Sequence, residues 1–442
     1  MDAVILAVGT ELLGADRLDT NSLLLTASLE RHGWMVAWKA AVPDDGDAIV
    51  RALGRAAADA PLILVSGGLG PTEDDLTREA VARFADRGLR LDPAVLEAIE
   101  ERYRSFGHRM PSTNRRQAEV IDGARVLPNP AGTAPGMHLE ISREGGAGVD
   151  VFLFPGVPRE LRVLVGTELG PWLAAHPASS SPREQVELRV ACLPESLVEE
   201  RIAAVYGILG RERVSVLAGP GDVRVRLRPP DPKGAAAKQL LARALAAARL
   251  GIGDALVSER GEDLEVVVLA LLAARGASLS VAESCTGGLV GERLTAVPGS
   301  SASFAGGAIV YSNQLKRDLL GVPAVELERH GAVSAPVVRA MAEGALRRFG
   351  TDFALAITGI AGPDGGSDEK PVGTVHLGLA GGGPCCGLHV RFPGDRERIR
   401  RQASQLALEM LRRRLLDLPV ASYWEVPSGA AADARGAGRG GG

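Results

Sequence analysis

Three adjacent side chains that can serve as nucleophiles stand in front of two glycines in the stretch SVAESCTGGLVGERL. The residues before them have the pattern of a β-strand and those after have helical periodicity, so Ser284, Cys285 and Thr286 are expected at a strand-to-helix turn. Amides at a helix start lack partners within the helix and carry partial positive charge. Those of Thr286, Gly287 and Gly288 are therefore expected to be unpaired and able to hold an oxyanion or a phosphate.

A lysine is the candidate base for this turn. In GAIVYSNQLKRDLLG, Tyr311 ends a predicted strand, Ser312 or Asn313 can cap the next helix, and Lys316 falls in its first turn. The positive end of the helix and a neighbouring arginine both disfavour the charged amine, and a general base must be neutral. A solvated surface lysine is the plainer alternative. No histidine is near the turn in the sequence, and a serine-lysine pair is a known solution in that case.

Cys285 is the rival nucleophile, because a thiolate is intrinsically more reactive than an alcohol. Neighbours at the end of an extended strand point to opposite faces, which favours Ser284 over Cys285 if the serine faces the lysine. The four cysteines form no CxxC pair, so nothing indicates a zinc site or a disulfide framework.

Two further loops are expected to converge on this site. AITGIAGPDGGSDEKPVGTV places Thr358, Gly359 and Gly362 after a strand, and FPGDRERIRRQ begins the last helix with several arginines. One arginine at that helix start can grip a phosphate through two parallel hydrogen bonds. Arginines on a solvated helix face are the alternative for most of this group.

The amino-terminal part has its own chemically suggestive loops. SGGLGPTEDDLT joins a glycine-rich turn, whose amides can hold a phosphate, to the carboxylates of Glu73, Asp74 and Asp75. Such a combination suits a phosphate bound together with a divalent metal. Glycines that only make turns and acids that only solvate a helix start explain this loop, taken alone, equally well.

The elements that position these loops alternate along the chain. Strands are predicted at residues 4–9, 35–42 and 62–68, with helices at 21–33 and 45–59, and the same alternation returns in the carboxyl-terminal third. Strands alternating with helices imply a parallel α/β sheet, which binds ligands at the carboxyl ends of its strands.

Composition divides the chain into a first domain at 1–172, an α+β module at 183–255, a third domain at 258–420 and a tail at 424–442. The stretch AHPASSSPREQ is predicted to be a linker, and the tail, almost without apolar residues, is predicted to be disordered. The net charge of −4 argues against a nucleic-acid partner. No apolar run is long enough to span a membrane and the first residues lack a signal peptide, so a cytoplasmic protein is expected.

GTELL, SGGLGPTEDDLT, NPAGTAPG and PGVPREL, in this order, resemble the molybdopterin-binding (MoaB/MogA-like) domain at the amino end of the CinA competence/damage-inducible family, over most of residues 1–165. The resemblance implies a pyrophosphatase that acts on ADP-ribose with a divalent metal, with or without a monovalent cation, or a domain that binds a nucleotide or pterin without turnover. It implies nucleotide or phosphate binding by Gly9, Thr10, Glu11, Gly67, Gly68, Gly70, Thr72 and Asn129, and an acidic metal site of Asp44, Asp74 and Asp75.

AESCTGG, VPGSS, FxGGxxxYSNxxK, GAVS, TGIAGPxGG, KPVGTV and GDRxxIRxQA look like the carboxyl-terminal domain of the same family, over nearly all of residues 265–415. That resemblance implies an amidohydrolase that converts nicotinamide mononucleotide to nicotinate mononucleotide and ammonia without a cofactor. The family's serine, tyrosine and lysine fall on Ser284, Tyr311 and Lys316. The implied substrate-binding residues are Thr286, Gly287, Gly288, Asn313, Thr358, Gly359, Gly362, Arg396 and Arg400.

The expected fold is α/β, with two three-layer α/β/α domains separated by the small module, which the resemblance makes KH-like. KH domains that hold RNA use a GxxG loop, and none lies between the expected elements, so a spacer or a homodimer contact is favoured over RNA binding. A scaffold in competence or DNA-damage response, without turnover, is the alternative to an enzyme of pyridine-nucleotide recycling.

Overall fold

The computed structural model describes residues 2–15, 17–143, 146–176, 186–230 and 235–426. The chain forms two compact units, residues 1–184 and 185–442. Most of the predicted linker, and the predicted tail from residue 427 onward, lie outside the described residues. Among the described residues, every helix is too short or too polar to cross a lipid bilayer.

The first unit is built on a six-stranded sheet with a separate two-stranded one. Its strands are β1 (Asp2–Val8), β2 (Met35–Val42), β3 (Leu62–Ser66), β4 (Leu89–Leu91), β5 (Glu119–Ile121), β6 (Arg125–Leu127), β7 (Gly136–Arg143) and β8 (Gly146–Phe154). The order is β2-β1-β3-β8-β7-β6, with β4 pairing β5. The pairs from β2 to β8 are parallel, and β7 and β6 add an antiparallel edge.

Helices cover both faces of this sheet. They are α1 (Asn21–Arg31), α2 (Gly46–Asp59), α3 (Thr77–Phe84), α4 (Pro93–Ser105), α5 (Pro158–Leu164) and α6 (Gly170–Ala175), the last two joined by a π-helical turn. Alternate residues of β1 enter two cores: Val4 and Leu6 pack with α2, α3 and α4, while Ala3 and Ile5 pack with α1 and α5. This unit therefore has the predicted three-layer α/β/α arrangement.

The second unit begins with a four-stranded antiparallel sheet. Its strands are β9 (Val186–Ala191), β10 (Val214–Gly219), β11 (Asp222–Leu227) and β12 (Leu256–Ser258), in the order β10-β11-β9-β12, and its helices are α7 (Glu195–Arg201), α8 (Ala203–Leu209) and α9 (Ala235–Ile252). The single helix expected at 194–207 is two helices, because Ile202 takes φ −96° and ψ 10°. The GxxG sequence at 207–210 begins inside the last turn of α8, and a single 3-10 turn separates it from β10, so it is not a loop between two α-helices.

The rest of the second unit is a five-stranded sheet that carries the serine turn. Its strands are β13 (Leu279–Glu283), β14 (Phe304–Ile309), β15 (Phe353–Gly359), β16 (Thr374–Ala380) and β17 (Cys386–Arg391). The order is β14-β13-β15-β16-β17, with the first three strands parallel and the last two antiparallel. The strand β13 is thus flanked on both sides by parallel neighbours, and the turn that follows it lies at their carboxyl ends.

Six helices complete this part: α10 (Leu264–Ala274), α11 (Leu289–Thr295), α12 (Asn313–Leu320), α13 (Ala324–His330), α14 (Ala335–Phe349) and α15 (Arg396–Leu415). The helices α10, α11 and α15 pack on one face of the sheet, and α12, α13 and α14 pack on the other. The predicted α/β fold class is confirmed.

Three local expectations fail here. The helix α13 was not predicted. The helix after the serine turn starts at Leu289, since Gly287 and Gly288 take φ of 60° and 98°, in the left-handed region that glycine tolerates. Residues 424–426, expected in the disordered tail, are anchored: Glu425 bridges Val390 and Trp424 packs against the core.

Candidate active site

Ser284 and Cys285 leave the end of β13 on opposite faces. The amide of Ser284 donates to Ile357 O at 3.0 Å, which continues the strand pairing by one residue. Cys285 joins the core that contains Val281, on the α10–α11–α15 face. Ser284 turns to the other face, toward α12. The alternation of an extended strand therefore separates the two candidate nucleophiles.

Lys316 reaches Ser284 from the first turn of α12. Its Nζ lies 3.1 Å from Ser284 Oγ and donates to the carbonyls of Val310 at 2.8 Å and Tyr311 at 3.2 Å. The side chain is buried, with 1% of the residue exposed. Ser312, not Asn313, caps the helix, since its Oγ accepts from the amide of Leu315 at 3.1 Å. The cap fixes where α12 begins and so where Lys316 points.

Burial lowers the pKa of Lys316. The direction is the one expected from the sequence, but the leading cause is the loss of water and not the helix dipole or the neighbouring arginine. A neutral amine has two N–H groups and one lone pair. Because two carbonyls can accept the two N–H groups, the lone pair is left for the hydroxyl of Ser284. That is the arrangement a general base needs.

Most of the helix-start amides are already bound. The amide of Gly287 donates to Ser284 O at 3.1 Å, and that of Gly288 donates to Glu283 Oε2 at 3.0 Å. The expectation that these two amides are unpaired is wrong, because a backbone carbonyl of the turn binds the first and a carboxylate from the preceding strand binds the second. Sequence reasoning missed Glu283, although an acid directly before the turn was a signal for a helix-start partner.

Two amides of the turn remain available. Within the described parts of the chain, the N–H groups of Cys285 and Thr286 donate no hydrogen bond to another residue. Arg400 Nη2 donates to Thr286 O at 2.7 Å and so braces the turn from α15. The turn therefore offers a nucleophile, two donors for a developing oxyanion and an adjacent guanidinium.

Arg396 links two sides of the site. Its Nη1 donates to Gly362 O at 2.7 Å and its Nη2 lies 3.2 Å from the hydroxyl of Tyr311. The side chain of Tyr311 is 60% exposed. Tyr311 thus meets Lys316 through its carbonyl, while its phenol meets Arg396. Arg398, between the two inward arginines, instead lies along Gly394.

Two of the remaining residues implied for this site, Thr358 and Gly359, have structural contacts. Thr358 Oγ1 donates to Ala332 O at 2.9 Å. A Cβ on Gly359 would lie 3.1 Å from the sulfur of Cys285, so the glycine permits a close approach of two loops. Asn313 is the exposed first residue of α12. The structure brings Thr358 and Gly359 to the end of β15, beside the serine turn.

In the first unit, Asp75 shapes the loop after β3. Its Oδ1 accepts from the amide of Gly70 at 2.8 Å and its Oδ2 accepts from the amide of Thr72 at 2.9 Å and from the Thr72 hydroxyl. The amides of Gly70 and Thr72, expected to hold phosphate, are thus occupied. A hydrogen bond from Thr72 lowers the pKa of the exposed Asp74.

The loops after β1, β2 and β3 meet at the carboxyl ends of these parallel strands. Thr10 and Asp44 exchange hydrogen bonds, amide to Oδ2 at 2.7 Å and amide to Oγ1 at 3.0 Å, beside Gly9 and the exposed Glu11. A Cβ on Gly67 would lie 2.1 Å from Val8 O, so only glycine fits there. A Cβ on Gly68 would similarly collide with Thr77 Oγ1.

A residue that the sequence did not single out sits where these loops meet. Asn21 donates to Ser66 Oγ and to Gly156 O, both at 2.9 Å, and its buried Oδ1 has no partner among the described residues. Together with Glu11 it lines a cavity of about 40 Å³. Asn129 instead holds its own loop, donating to Ala134 O at 2.8 Å and Glu160 Oε2 at 2.7 Å. Burial raises the pKa of Glu160.

The acidic residues do not form a ready metal site. Over the described residues, no group of three or more His, Cys, Asp or Glu side chains is placed to hold a metal ion. The carboxylates of Asp44 and Asp75 both accept hydrogen bonds from backbone amides. As they stand, these donors do not fit a divalent cation.

Two family models match the chain. The model described as a probable molybdopterin binding domain covers residues 4–175, and the one described as the CinA C-terminal domain covers residues 261–415. A CinA-like protein of Solibacter usitatus is 43% identical over 418 residues, which are 94% of this chain and 98% of that protein. One of Acidobacterium capsulatum is 43% identical over 419 residues, 94% of this chain and 100% of that protein. The solved structure of competence/damage inducible protein CihA from Agrobacterium tumefaciens is 44% identical, with a TM-score of 0.34, and covers 34% of this chain and 93% of its own.

Proposed function

The chain belongs to the family of CinA-like proteins, and from that premise we propose that its carboxyl-terminal part is an amidohydrolase that converts nicotinamide mononucleotide and water to nicotinate mononucleotide and ammonia. The observation that carries the proposal is the 3.1 Å approach of the buried Lys316 Nζ to Ser284 Oγ. A buried amine with a lowered pKa, held against a hydroxyl at a strand end, is typical of an activated nucleophile.

The first half of the reaction forms an ester on the enzyme. Ser284 Oγ attacks the carboxamide carbon while the lone pair of Lys316 takes the hydroxyl proton. The amides of Cys285 and Thr286 donate to the oxyanion of the tetrahedral intermediate. The intermediate collapses, the C–N bond breaks, and the ammonium group of Lys316 returns the proton so that ammonia leaves.

The second half repeats these steps with water. Lys316, neutral again, removes a proton from a water molecule, which attacks the ester carbon. The ester bond to Ser284 breaks, the serine recovers its proton from Lys316, and the carboxylic acid product leaves and gives its remaining proton to water or to the released ammonia, which yields the nicotinate carboxylate. Atoms and charges balance with the chain's own groups, the substrate and water.

The substrate's phosphate is assigned to the arginines at the start of α15. Arg396 and Arg400 both reach loops of the site, Arg396 at Gly362 and Arg400 at Thr286. A guanidinium can bind a phosphate through two parallel hydrogen bonds. A phosphate bound by these arginines fixes one end of the substrate and so orients the carboxamide toward Ser284.

A second activity is proposed for the first unit: binding of a phosphate-bearing nucleotide or pterin where the loops after β1 and β3 meet. The favouring observation is the buried, unpartnered Oδ1 of Asn21 beside Ser66, an open acceptor for a ligand donor. Turnover of ADP-ribose by this unit stays a prediction. Metal-dependent release of AMP from ADP-ribose would establish turnover, and binding without release would leave recognition alone.

The main proposal is tested by measuring ammonia release from nicotinamide mononucleotide by the full chain. The matched control substrate is nicotinamide riboside, which has the same amide but no phosphate. We expect release from the mononucleotide and a much lower kcat/KM for the riboside, since the arginines lose their ligand. Absence of ammonia from both substrates would contradict the amidohydrolase and favour a non-enzymatic scaffold.

A further inference from the structure

Glu283 is a buried carboxylate directly before the candidate nucleophile. Only 1% of the residue is exposed. It ends β13 and is paired with Ile309 on one side and Ile357 on the other, and its carbonyl accepts from the amide of Val310 at 2.8 Å. Its backbone is therefore held by both neighbouring strands.

The side chain of Glu283 spans the turn and binds the start of α11. Its Oε2 accepts from the amides of Gly288 at 3.0 Å and Val290 at 3.2 Å, and its Oε1 accepts from that of Gly291 at 2.9 Å. Both oxygens are thus bound to backbone donors. The five residues from Ser284 to Gly288 lie between the two anchored ends.

This arrangement differs from an ordinary helix cap. A cap residue normally immediately precedes the first turn and uses its own side chain. Here the residue in that position is Gly288, which has no side chain, and the acceptor comes from the preceding strand. Two consecutive glycines with positive φ would otherwise leave the turn conformationally free. The carboxylate of Glu283 therefore fixes the conformation of a turn that its own glycine residues leave flexible.

We propose that Glu283 is a positioning residue: by tying the start of α11 to the end of β13, it holds the hydroxyl of Ser284 against Lys316 and aims the two free amides of the turn at the substrate. That the bound molecule carries an amide rests on the proposed amidohydrolase. The three amide hydrogen bonds of Glu283 and the approach of Lys316 to Ser284 do not depend on which molecule binds.

Glu283 also acts on the rival nucleophile. Burial raises the pKa of Cys285 to about 12, and the negative charge of Glu283 adds to that effect. The backbone N–H of Cys285 itself, and more weakly Arg400 and Lys316, lower its pKa. With Cys285 packed in the core on the far face, the turn presents the alcohol and keeps the thiol protonated. The same carboxylate thus positions Ser284 and helps to keep the neighbouring thiol of Cys285 protonated and unreactive.

The decisive variant is Glu283→Gln in the full chain. Glutamine keeps the length and one acceptor oxygen, but its NH₂ group meets an amide donor of α11, so at least one hydrogen bond is replaced by two facing donors. From the cost of an unsatisfied buried donor we expect kcat for ammonia release to fall about 10- to 100-fold. KM should stay within about threefold, because the phosphate arginines are untouched.

A matched control separates positioning from general destabilisation. Glu409 is equally buried and bonds Arg412 and Arg413, but makes none of the turn's hydrogen bonds. Glu409→Gln should lower the unfolding temperature and leave kcat of the folded fraction within about twofold. If both variants lose activity only in proportion to their loss of folded protein, Glu283 has no positioning role.

A second readout does not depend on the substrate. Alkylation of the buried Cys285 by iodoacetamide at one fixed pH, followed by peptide mass spectrometry, should be faster in folded Glu283→Gln than in wild type, because the turn that covers the thiol opens more often once its hydrogen bonds to α11 are weakened. If wild type releases no ammonia, the proposed function fails, yet the alkylation rate still tests Glu283; an unchanged rate would overturn the inference. If Glu283→Gln does not fold, Glu283→Asp, which keeps the charge but is too short to make all three contacts, should show the same loss of kcat.

Discussion

Lys316 Nζ lies 3.1 Å from Ser284 Oγ across 32 residues of sequence. The contact exists because β13 and β14 are parallel neighbours, so the serine turn after β13 and the helix after β14 open at the same edge of the sheet. The cap by Ser312 then sets the phase of α12 so that Lys316 faces inward. The site is therefore a product of sheet topology and one helix cap.

Lys316→Met tests the chemical role of the buried amine. If Lys316 is the general base, as proposed, its removal should lower kcat for ammonia release by about 10²- to 10⁴-fold. The variant should also be more stable at neutral pH, because it no longer buries a group that carries a charge in the unfolded chain. Lys39→Met, on an exposed position of β2, is the control and should change neither property.

The sign of the pH dependence follows from the lowered pKa of Lys316. Between that pKa and the ordinary lysine value of about 10.4, the unfolded chain binds more protons than the folded one, so stability of the wild type rises with pH across this window. Denaturant unfolding at several pH values should show this rise in wild type and not in Lys316→Met. Equal slopes would mean that the amine is charged in the fold.

Tyr311→Phe separates the two contacts of that residue. The carbonyl that binds Lys316 is kept, and only the hydroxyl at Arg396 is lost. We expect kcat to stay within about threefold and KM for the mononucleotide to rise about 2- to 10-fold, the value of one hydrogen bond. A fall in kcat of more than about a hundredfold would instead place the phenol in proton transfer, as the family resemblance implies.

Sequence pattern was sufficient for the strand-to-helix turn, the serine-lysine pair and the α/β class, because each depends on local periodicity or on the rule that parallel strands open at one edge. It was insufficient for Glu283 and Asp75. Both are acids that bind backbone amides several residues away, Glu283 after itself and Asp75 before itself, and only the closed loop shows that these amides are occupied. Sequence reasoning treated the amides of Gly288, Gly70 and Thr72 as free and Asp75 as available for a metal, and it did not single out Glu283.

His376→Gln tests whether a buried, neutral histidine in the five-stranded sheet makes the fold less stable at low pH. Burial lowers the pKa of His376 to about 4, and the charges of His389 and Lys370 add to this effect. The imidazole rings of His376 and His389 stack with their centroids 4.3 Å apart. Between about pH 6.5 and 4 the unfolded chain binds the extra proton, so stability falls as pH falls through this window, by up to roughly 3 kcal/mol. Unfolding of wild type and variant at pH 7 and pH 5 should show the loss in wild type and a smaller loss in His376→Gln. Parallel losses would contradict a buried, neutral His376.

Asp75→Asn tests the loop of the first unit. One acceptor oxygen becomes an NH₂ group, which faces the donors of Gly70 or Thr72 and loosens the loop. We expect ADP-ribose binding, measured by calorimetry, to weaken about tenfold or more, while ammonia release by the second unit is unchanged. Glu73→Gln, at an exposed neighbouring position, should bind like wild type. Unchanged binding by Asp75→Asn would exclude this loop from the ligand site.

The identity of the nucleophile is the claim on which the mechanism stands, and it is tested most directly by ammonia release from nicotinamide mononucleotide in two adjacent variants. Ser284→Ala should lose at least about a thousandfold in kcat, because the attacking oxygen is gone. Cys285→Ser should stay within about threefold, since the buried thiol faces the other side of the sheet. Retained activity in Ser284→Ala together with lost activity in Cys285→Ser would contradict the account.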